Sequence, residues 1–272
     1  MSKLVIFDTE TTGLDREDKI IQIGAIVSEL GSNKNTEKYN ELCFSDTPIK
    51  IEAMSVHGIR QKDIENMPLF NDIEFRKTLD YLNCNENYLI AHNLDFDLNM
   101  LNKEGFTNKY KLIDTLQCAK HLYEIGENIN GYRLPNHKLQ TFRYILLTQN
   151  EEDDEAKKYD VQIKAHDAIG DVIILKLFLH KLYFKIKEIF NIDNPVKVFD
   201  KMVELTKKEV EVKIINFGKH KGKTINEIES IDSGWIDWLY KELQKQKENN
   251  DSKFNRNLFY TLDKLVQNRI TK

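Results

Sequence analysis

Apolar residues come first in short dense runs and later at helical intervals. Lys3–Asp8 (KLVIFD), KIIQIGAIVSEL and KYNELCFS read as three successive strands, separated by the turn-like TGLDRED and GSNKN. IEAMSVHGI and NDIEFRKTLDYL then show helical spacing. YLIAHN reads as a short buried strand feeding a helix, LDFDLNMLNKEG, stopped at Gly105. KLIDT predicts another strand, and LQCAKHLYE, HKLQTFRYILL and HDAIGDVIILKLFLHKLYFKIKEIF predict helices. This order suits an α/β unit, a mixed sheet flanked by helices.

EEDDEAKK at 151–158 reads as a solvated loop. NIDNP at 191–195 reads as a hinge, and a further helix is expected around 196–208. Beyond it the pattern changes. VEVKIINFGKHKGKTI alternates like a small hairpin with Gly218 and Gly222 at turns, followed by helices near 233–247 and 254–269. The expected organisation is a domain over 1–190, a linker and helix over 191–211, and a small α+β C-terminal domain over 212–272.

Composition narrows this picture. A chain of 272 residues suits two domains. With a net charge of −4, a nucleic-acid partner requires a local basic surface. Cys43, Cys84 and Cys118 lie far apart without a C-x-x-C, which fits free thiols in a reducing compartment. MSKLVIFD runs directly into a strand without signal-peptide features, and the most apolar helix is broken by Lys176, His180 and Lys181. The cytoplasm is the expected location, with no membrane partner.

The first strand ends in a charge conflict. Asp8 and Glu10 are two apart, so they share one face, where like charges repel and burial is costly. In the helix after YLIAHN, Leu94, Asp97, Leu98 and Leu101 form one stripe, and Asp95 falls on the wet side with Asn99 and Asn102. Asp97 is therefore the inward acid, and Asp95 a first-turn charge. In the long helix, Ala168, Asp171, Val172 and Leu175 repeat the arrangement; His166 lies just before it, and Asp167 reads as a cap or first-turn residue. Inward carboxylates persist when cations neutralise them, and four hard oxygen donors without thiolate suit Mg²⁺ or Mn²⁺. Two such ions, roughly 4 Å apart, clamp the attacking and leaving oxygens of a phosphoryl displacement. A histidine, with an ordinary pKa of about 6.5, can accept the proton of the attacking water.

FDTETTGL, HNLDFD and AHDAIGD resemble the three motifs of the DEDDh (DnaQ-like) 3′–5′ exonucleases, over roughly residues 3–185. The H-x-A-x-x-D arrangement of the third marks the histidine branch. The resemblance implies a ribonuclease-H-like fold, metal ligands Asp8, Glu10, Asp97 and Asp171, two ions, and His166 as general base. It implies that Thr11, Gly13 and Leu14 line the 3′-terminal nucleotide, with His57 of VHGI and Asn93 as further substrate contacts. Leu94 and Asp95 depart from the usual pattern beside Asp97. INFGKHKGKTINEI and DSGWIDWLYKE resemble the small domain that follows exonuclease-X-like nuclease domains.

The expected function is metal-dependent 3′–5′ hydrolysis of nucleic acid, DNA favoured, releasing nucleoside 5′-monophosphates. The alternatives are a catalytically silent nucleic-acid-binding protein, an exoribonuclease and a structural metal-binding protein. A polymerase or other protein partner is left open. Lys213, Lys219, Lys221 and Lys223 are candidate phosphate contacts. Trp235 and Trp238, three apart on one helix face, read as core packing rather than base stacking.

Overall fold

The computed structural model describes residues 1–249 and 254–270. Its sheet has five strands: β1 (Lys3–Thr11), β2 (Ile20–Glu29), β3 (Ser32–Leu42), β4 (Tyr88–Ala91) and β5 (Lys111–Asp114). Their spatial order is β3-β2-β1-β4-β5. The three N-terminal strands pair antiparallel, and β4 and β5 add in parallel to β1. β3 starts earlier than the apolar pattern predicts. A two-residue turn at Leu30–Gly31 brings Ser32 directly opposite Glu29, so cross-strand pairing extends the strand over polar residues.

Helices α1 (Ile51–His57), α2 (Gln61–Ile64), α3 (Glu74–Tyr81) and α4 (Leu94–Lys103) precede β5. After it come α5 (Thr115–Leu122), α6 (Leu139–Leu146), α7 (Gln149–Tyr159), α8 (Ala168–Phe190) and α9 (Pro195–Lys207). β1 is buried on both faces. Leu4 and Ile6 pack with α5, α6, α8 and α9, whereas Val5 and Phe7 pack with α3 and α4. Cys43, Cys84 and Cys118 are free thiols. Among the described residues no helix is long and apolar enough to cross a membrane.

The acidic run predicted as a loop is helix α7. Thr148 caps it, its hydroxyl accepting from Glu151 N–H while the Glu151 carboxylate accepts from Thr148 N–H. Its acids do not face water alone. Glu151 pairs with Lys181, Glu155 with Lys176, and buried Glu152 takes a bidentate fork from Arg143 of α6. Cations from neighbouring helices thus turn a repelling run into a helix face.

α9 also departs from expectation. The segment expected to link the domains buries Val198, Phe199 and Met202 in the core beneath the sheet. The chain divides into compact units at Met1–Thr206 and Lys207–Lys272. The second unit contains α10 (Ile225–Ile231), α11 (Ser233–Glu248) and α12 (Arg256–Ile270) around Ile215, Ile228, Ile236, Leu239 and Leu262. Its expected hairpin is reduced to one antiparallel bridge, Ile214 with Thr224, around a 3-10 turn at Gly218–His220.

One glycine sets the approach of α8 to the sheet. Gly24 lies directly opposite Asp8 in the β1–β2 ladder. A Cβ there would stand 2.4 Å from the backbone of Ala168 and Ile169 at the start of α8. Gly24→Ala should therefore push the helix start away from Asp8, destabilising the fold by about 1–3 kcal/mol. Urea melts and a nuclease assay would check this; wild-type stability with full activity would remove the packing argument.

Candidate active site

β1 runs to the sheet's edge of chemistry at Asp8. The ladder with β2 shifts register between Glu10 and Thr11, an irregularity that re-aims side chains at a strand end. Asp8 and Glu10 continue the Leu4–Ile6 face, onto which α8 brings Asp171. Oxygens of Asp8, Glu10 and Asp171 lie within 4.8 Å of one another. Asp97 comes from α4 on the other face. It is 3% exposed and its Oδ1 accepts the Thr9 hydroxyl at 2.6 Å, so it stands beside this triangle rather than inside it. Asp95 is exposed, as its wet-side position predicts.

The electrostatics are those of an unneutralised cluster. Burial, followed by repulsion from Asp97, Asp171 and Glu10, pushes Asp8 well above the carboxylate range. Burial and then Asp171 and Asp97 raise Glu10 to about 8. Burial raises Asp97 to about 7 against the opposing Thr9 hydrogen bond. Burial also raises Asp171, opposed by the His166 backbone and imidazole and by Gln140. Every charge acting on Asp8 and Glu10 belongs to another carboxylate. Such an all-oxygen donor set, crowded with like charges at Asp8 and Glu10, fits hard divalent cations.

Both oxygens of Asp171 are fixed by neighbours. Oδ2 accepts the His166 backbone N–H at 3.0 Å, and Oδ1 accepts from Gln140 Nε2 at 2.5 Å. Gln140 Oε1 in turn accepts from Arg143, the partner of Glu152, so α7 is tied to the site through α6. His166 is exposed in a left-handed turn, φ +59°. Gly170 lets the preceding chain lie close, since a Cβ there would meet Lys164 O at 2.5 Å. Asp167 holds the N-cap position of α8, but its carboxylate accepts from Gln22 Nε2 at 3.0 Å instead of capping the helix.

The remaining sequence-predicted contacts differ in burial and in their local bonds. Thr11 and Gly13 are buried and joined by a hydrogen bond from the Thr11 hydroxyl to Gly13 O at 2.7 Å. Leu14 is 71% exposed. Their loop is anchored by fully buried Asp18, which accepts from Thr12 at 2.8 Å and from Lys50 at 2.6 Å. Burial pushes Asp18 up, but these bonds prevail and hold it below the usual value. His57 ends α1; its Nδ1 accepts from Ile59 N–H at 3.0 Å, and buried Nε2 has no hydrogen-bond partner. Burial lowers its pKa, the Thr11 backbone opposes that shift, and His166 adds to it. Asn93, exposed and left-handed at φ 73°, donates its backbone N–H to Asp114 Oδ1 at 3.0 Å at the entry to α4. The four candidate lysines lie in the second unit, all exposed.

Sequence reasoning missed Thr9, Gln140, Asp18 and Lys50. Thr9 had a signal, since a hydroxyl flanked by two acids alternates onto the opposite sheet face. The others are polar residues on ordinary elements, and no local pattern distinguishes them.

Residues 5–178 match the family described as Exonuclease. Residues 215–244 match that described as Exodeoxyribonuclease X-like C-terminal. A DNA polymerase III PolC-type protein of Caldanaerobacter subterraneus subsp. tengcongensis is 29% identical over 164 residues, covering 57% of this chain and 11% of that protein. The chain thus spans about a tenth of that relative. The DNA polymerase III subunit epsilon of Buchnera aphidicola subsp. Schizaphis graminum is 28% identical over 244 residues, covering 83% of this chain and 94% of the relative. Among solved structures, E. coli Exonuclease I in complex with a dT13 oligonucleotide superposes with a TM-score of 0.54 at 17% identity, covering 70% of this chain and 43% of that one. That likeness is one of fold.

Proposed function

The chain belongs to the exonuclease family, and from that premise we propose that it removes nucleoside 5′-monophosphates one at a time from the 3′ end of DNA, using two Mg²⁺ or Mn²⁺ ions. The observation that carries this reading is the convergence of Asp8, Glu10 and Asp171 with Asp97 beside them, in which the charges that bear on Asp8 and Glu10 are other carboxylates. Asp8, Glu10, Asp97 and Asp171 are the residues that would hold the cations. Bound there, the cations supply Lewis acidity for in-line phosphoryl displacement. Gln140 and the His166 backbone fix the Asp171 carboxylate, and the Thr9 hydroxyl fixes that of Asp97. His166, exposed beside Asp171, accepts the proton of the attacking water. Thr11, Gly13, Leu14, His57 and Asn93 line the approach of the terminal nucleotide. Lys213, Lys219, Lys221 and Lys223 contact phosphates away from the scissile bond. DNA is favoured because the matched relatives act in DNA synthesis by their names and the C-terminal match is to an exodeoxyribonuclease type.

The test is a product ladder from 5′-labelled DNA and RNA oligomers, single-stranded and duplex, with Mg²⁺, Mn²⁺, Ca²⁺ or chelator. The labelled strand should shorten stepwise with Mg²⁺ or Mn²⁺, DNA faster than RNA. Ca²⁺ should support little turnover, because its looser coordination misplaces the reacting groups. Full activity in chelator would overturn the metal reading. Immediate release of the labelled terminal nucleotide would overturn the polarity, and a ladder on RNA alone would overturn the substrate.

A further inference from the structure

The second unit carries an aromatic cluster of Phe217, Trp235 and Trp238; the sequence pattern assigns the two tryptophans to the core, and the structure leaves the cluster partly exposed. Trp238 is 57% exposed and Phe217 is 40% exposed. Trp235 lies between them, its ring centroid 6.1 Å from Phe217 and 6.4 Å from Trp238. The three rings form a continuous strip across the 3-10 turn and the first turns of α11. Only Trp235 reaches the apolar core of the unit.

The strip is held from below. Asp232 caps α11 by accepting from Trp235 N–H, and its other oxygen takes His220 Nε2 at 2.8 Å. His220 is buried, with its ring edge-on to Trp235 at 4.9 Å. This arrangement ties the turn bearing Phe217 to the helix bearing both tryptophans.

Charge selects the occupant. Lys219, Lys221 and Lys223 are exposed on the same turn. The acids nearest the strip are already engaged: Asp232 with Lys219 and His220, Asp237 and Glu229 with Arg269, and Glu227 with the backbone of Thr224. Residues 207–272 hold fourteen Lys and Arg against ten Asp and Glu, whereas residues 1–206 hold twenty-six against thirty-four. Exposed aromatic rings beside a turn that carries three exposed lysines match a single strand, whose bases stack while its phosphates meet the cations.

We propose that Phe217, Trp235 and Trp238 form a base-stacking platform for single-stranded nucleic acid on the C-terminal unit, with Lys219, Lys221 and Lys223 beside its backbone. This rests on the nucleic-acid reading above, but it requires neither hydrolysis nor metal. A base laid on Trp238 covers its exposed indole, and the platform tolerates any sequence because every base presents a π-face.

The experiment uses the full chain in chelator. The protein has two tryptophans, so Trp235→Phe leaves Trp238 as the sole indole reporter. Thymidine 20-mers should quench its fluorescence, whereas abasic 20-mers with the same phosphates should not. In the otherwise unchanged chain, Trp238→Ala should weaken binding of the 20-mer about 5- to 150-fold. It should leave abasic binding unchanged, and Trp238→Phe should restore most of the loss. A melting curve and the rate on a trinucleotide with Mg²⁺ should match wild type for both variants. Absent quenching, or equal losses on normal and abasic strands, would overturn the platform. Quenching without any 3′ shortening in Mg²⁺ would instead overturn the exonuclease mechanism and leave the platform standing.

Discussion

Asp8→Asn is expected to abolish hydrolysis while raising the melting temperature of the metal-free protein. Asn keeps nearly the same shape and removes a charge that burial and four neighbouring carboxylates, Asp97, Asp171, Glu10 and Asp167, all disfavour. Relief of that repulsion is worth about 1 kcal/mol or more, a rise of about 2–4 °C in a domain of this size. The same substitution deletes an oxygen of the proposed metal cradle, and losing several kcal/mol of transition-state stabilisation should lower the rate at least about a thousandfold. The opposed signs distinguish a metal cradle from a structural acid, whose loss would lower both quantities. Asp95→Ala, on the exposed side of α4, is the control and should change neither.

The same repulsion predicts a pH dependence in chelator. Glu10 is raised to about 8 and Asp97 to about 7, far above unfolded carboxylates near 4. Across that window the native state holds more protons than the unfolded state. The contribution of these groups is therefore full below about pH 4 and is lost as pH rises through 7 to 8. Thermal melts at pH 6 and pH 8.5 should show the loss in chelator, and saturating Mg²⁺ should shrink it. A melting temperature in Asp8→Asn equal to or below wild type would contradict the electrostatic account.

His166→Ala should lower kcat by about 10²–10⁴-fold, the usual contribution of a positioned general base. Its imidazole acts on the Asp171 carboxylate electrostatically, while its backbone N–H holds Asp171 Oδ2. These two roles can be separated. The left-handed backbone at φ +59° disfavours most residues, but Asn tolerates it. His166→Asn should thus preserve the N–H contact and still lose as much rate as His166→Ala. Affinity for Mn²⁺, followed by titration calorimetry, should change little in His166→Asn. An unchanged kcat in His166→Asn would assign the position to backbone geometry alone.

The sequence disclosed the inward acids because strand and helix periods are short-range rules. Thr9 separates Asp8 from Glu10, so period two places both on one sheet face. Asp97 shares its side of α4 with Leu94 and Leu101, and the structure buries all three while exposing Asp95. Where a residue's state depends on a partner far along the chain, the local pattern misleads. The acidic run at 151–158 looks like a loop until Arg143, Lys176 and Lys181 arrive from α6 and α8. Trp238 follows Trp235 on one helix face, yet of the two only Trp235 packs against the core, and it is only half-buried. Periodicity states that a face is shared but not how wide the neighbouring core is.

By itself the sequence determined which carboxylates turn away from water, since that follows from bond geometry within each element. The tertiary structure decided that they meet. Asp8 and Asp171 are brought together because Gly24, opposite Asp8, leaves room for the backbone at Ala168. Gln140 is aimed at Asp171 because α6 packs on α8. These contacts join residues separated by tens to well over a hundred positions, and each depends on side-chain volume across an interface. No pattern within a single strand or helix carries that information.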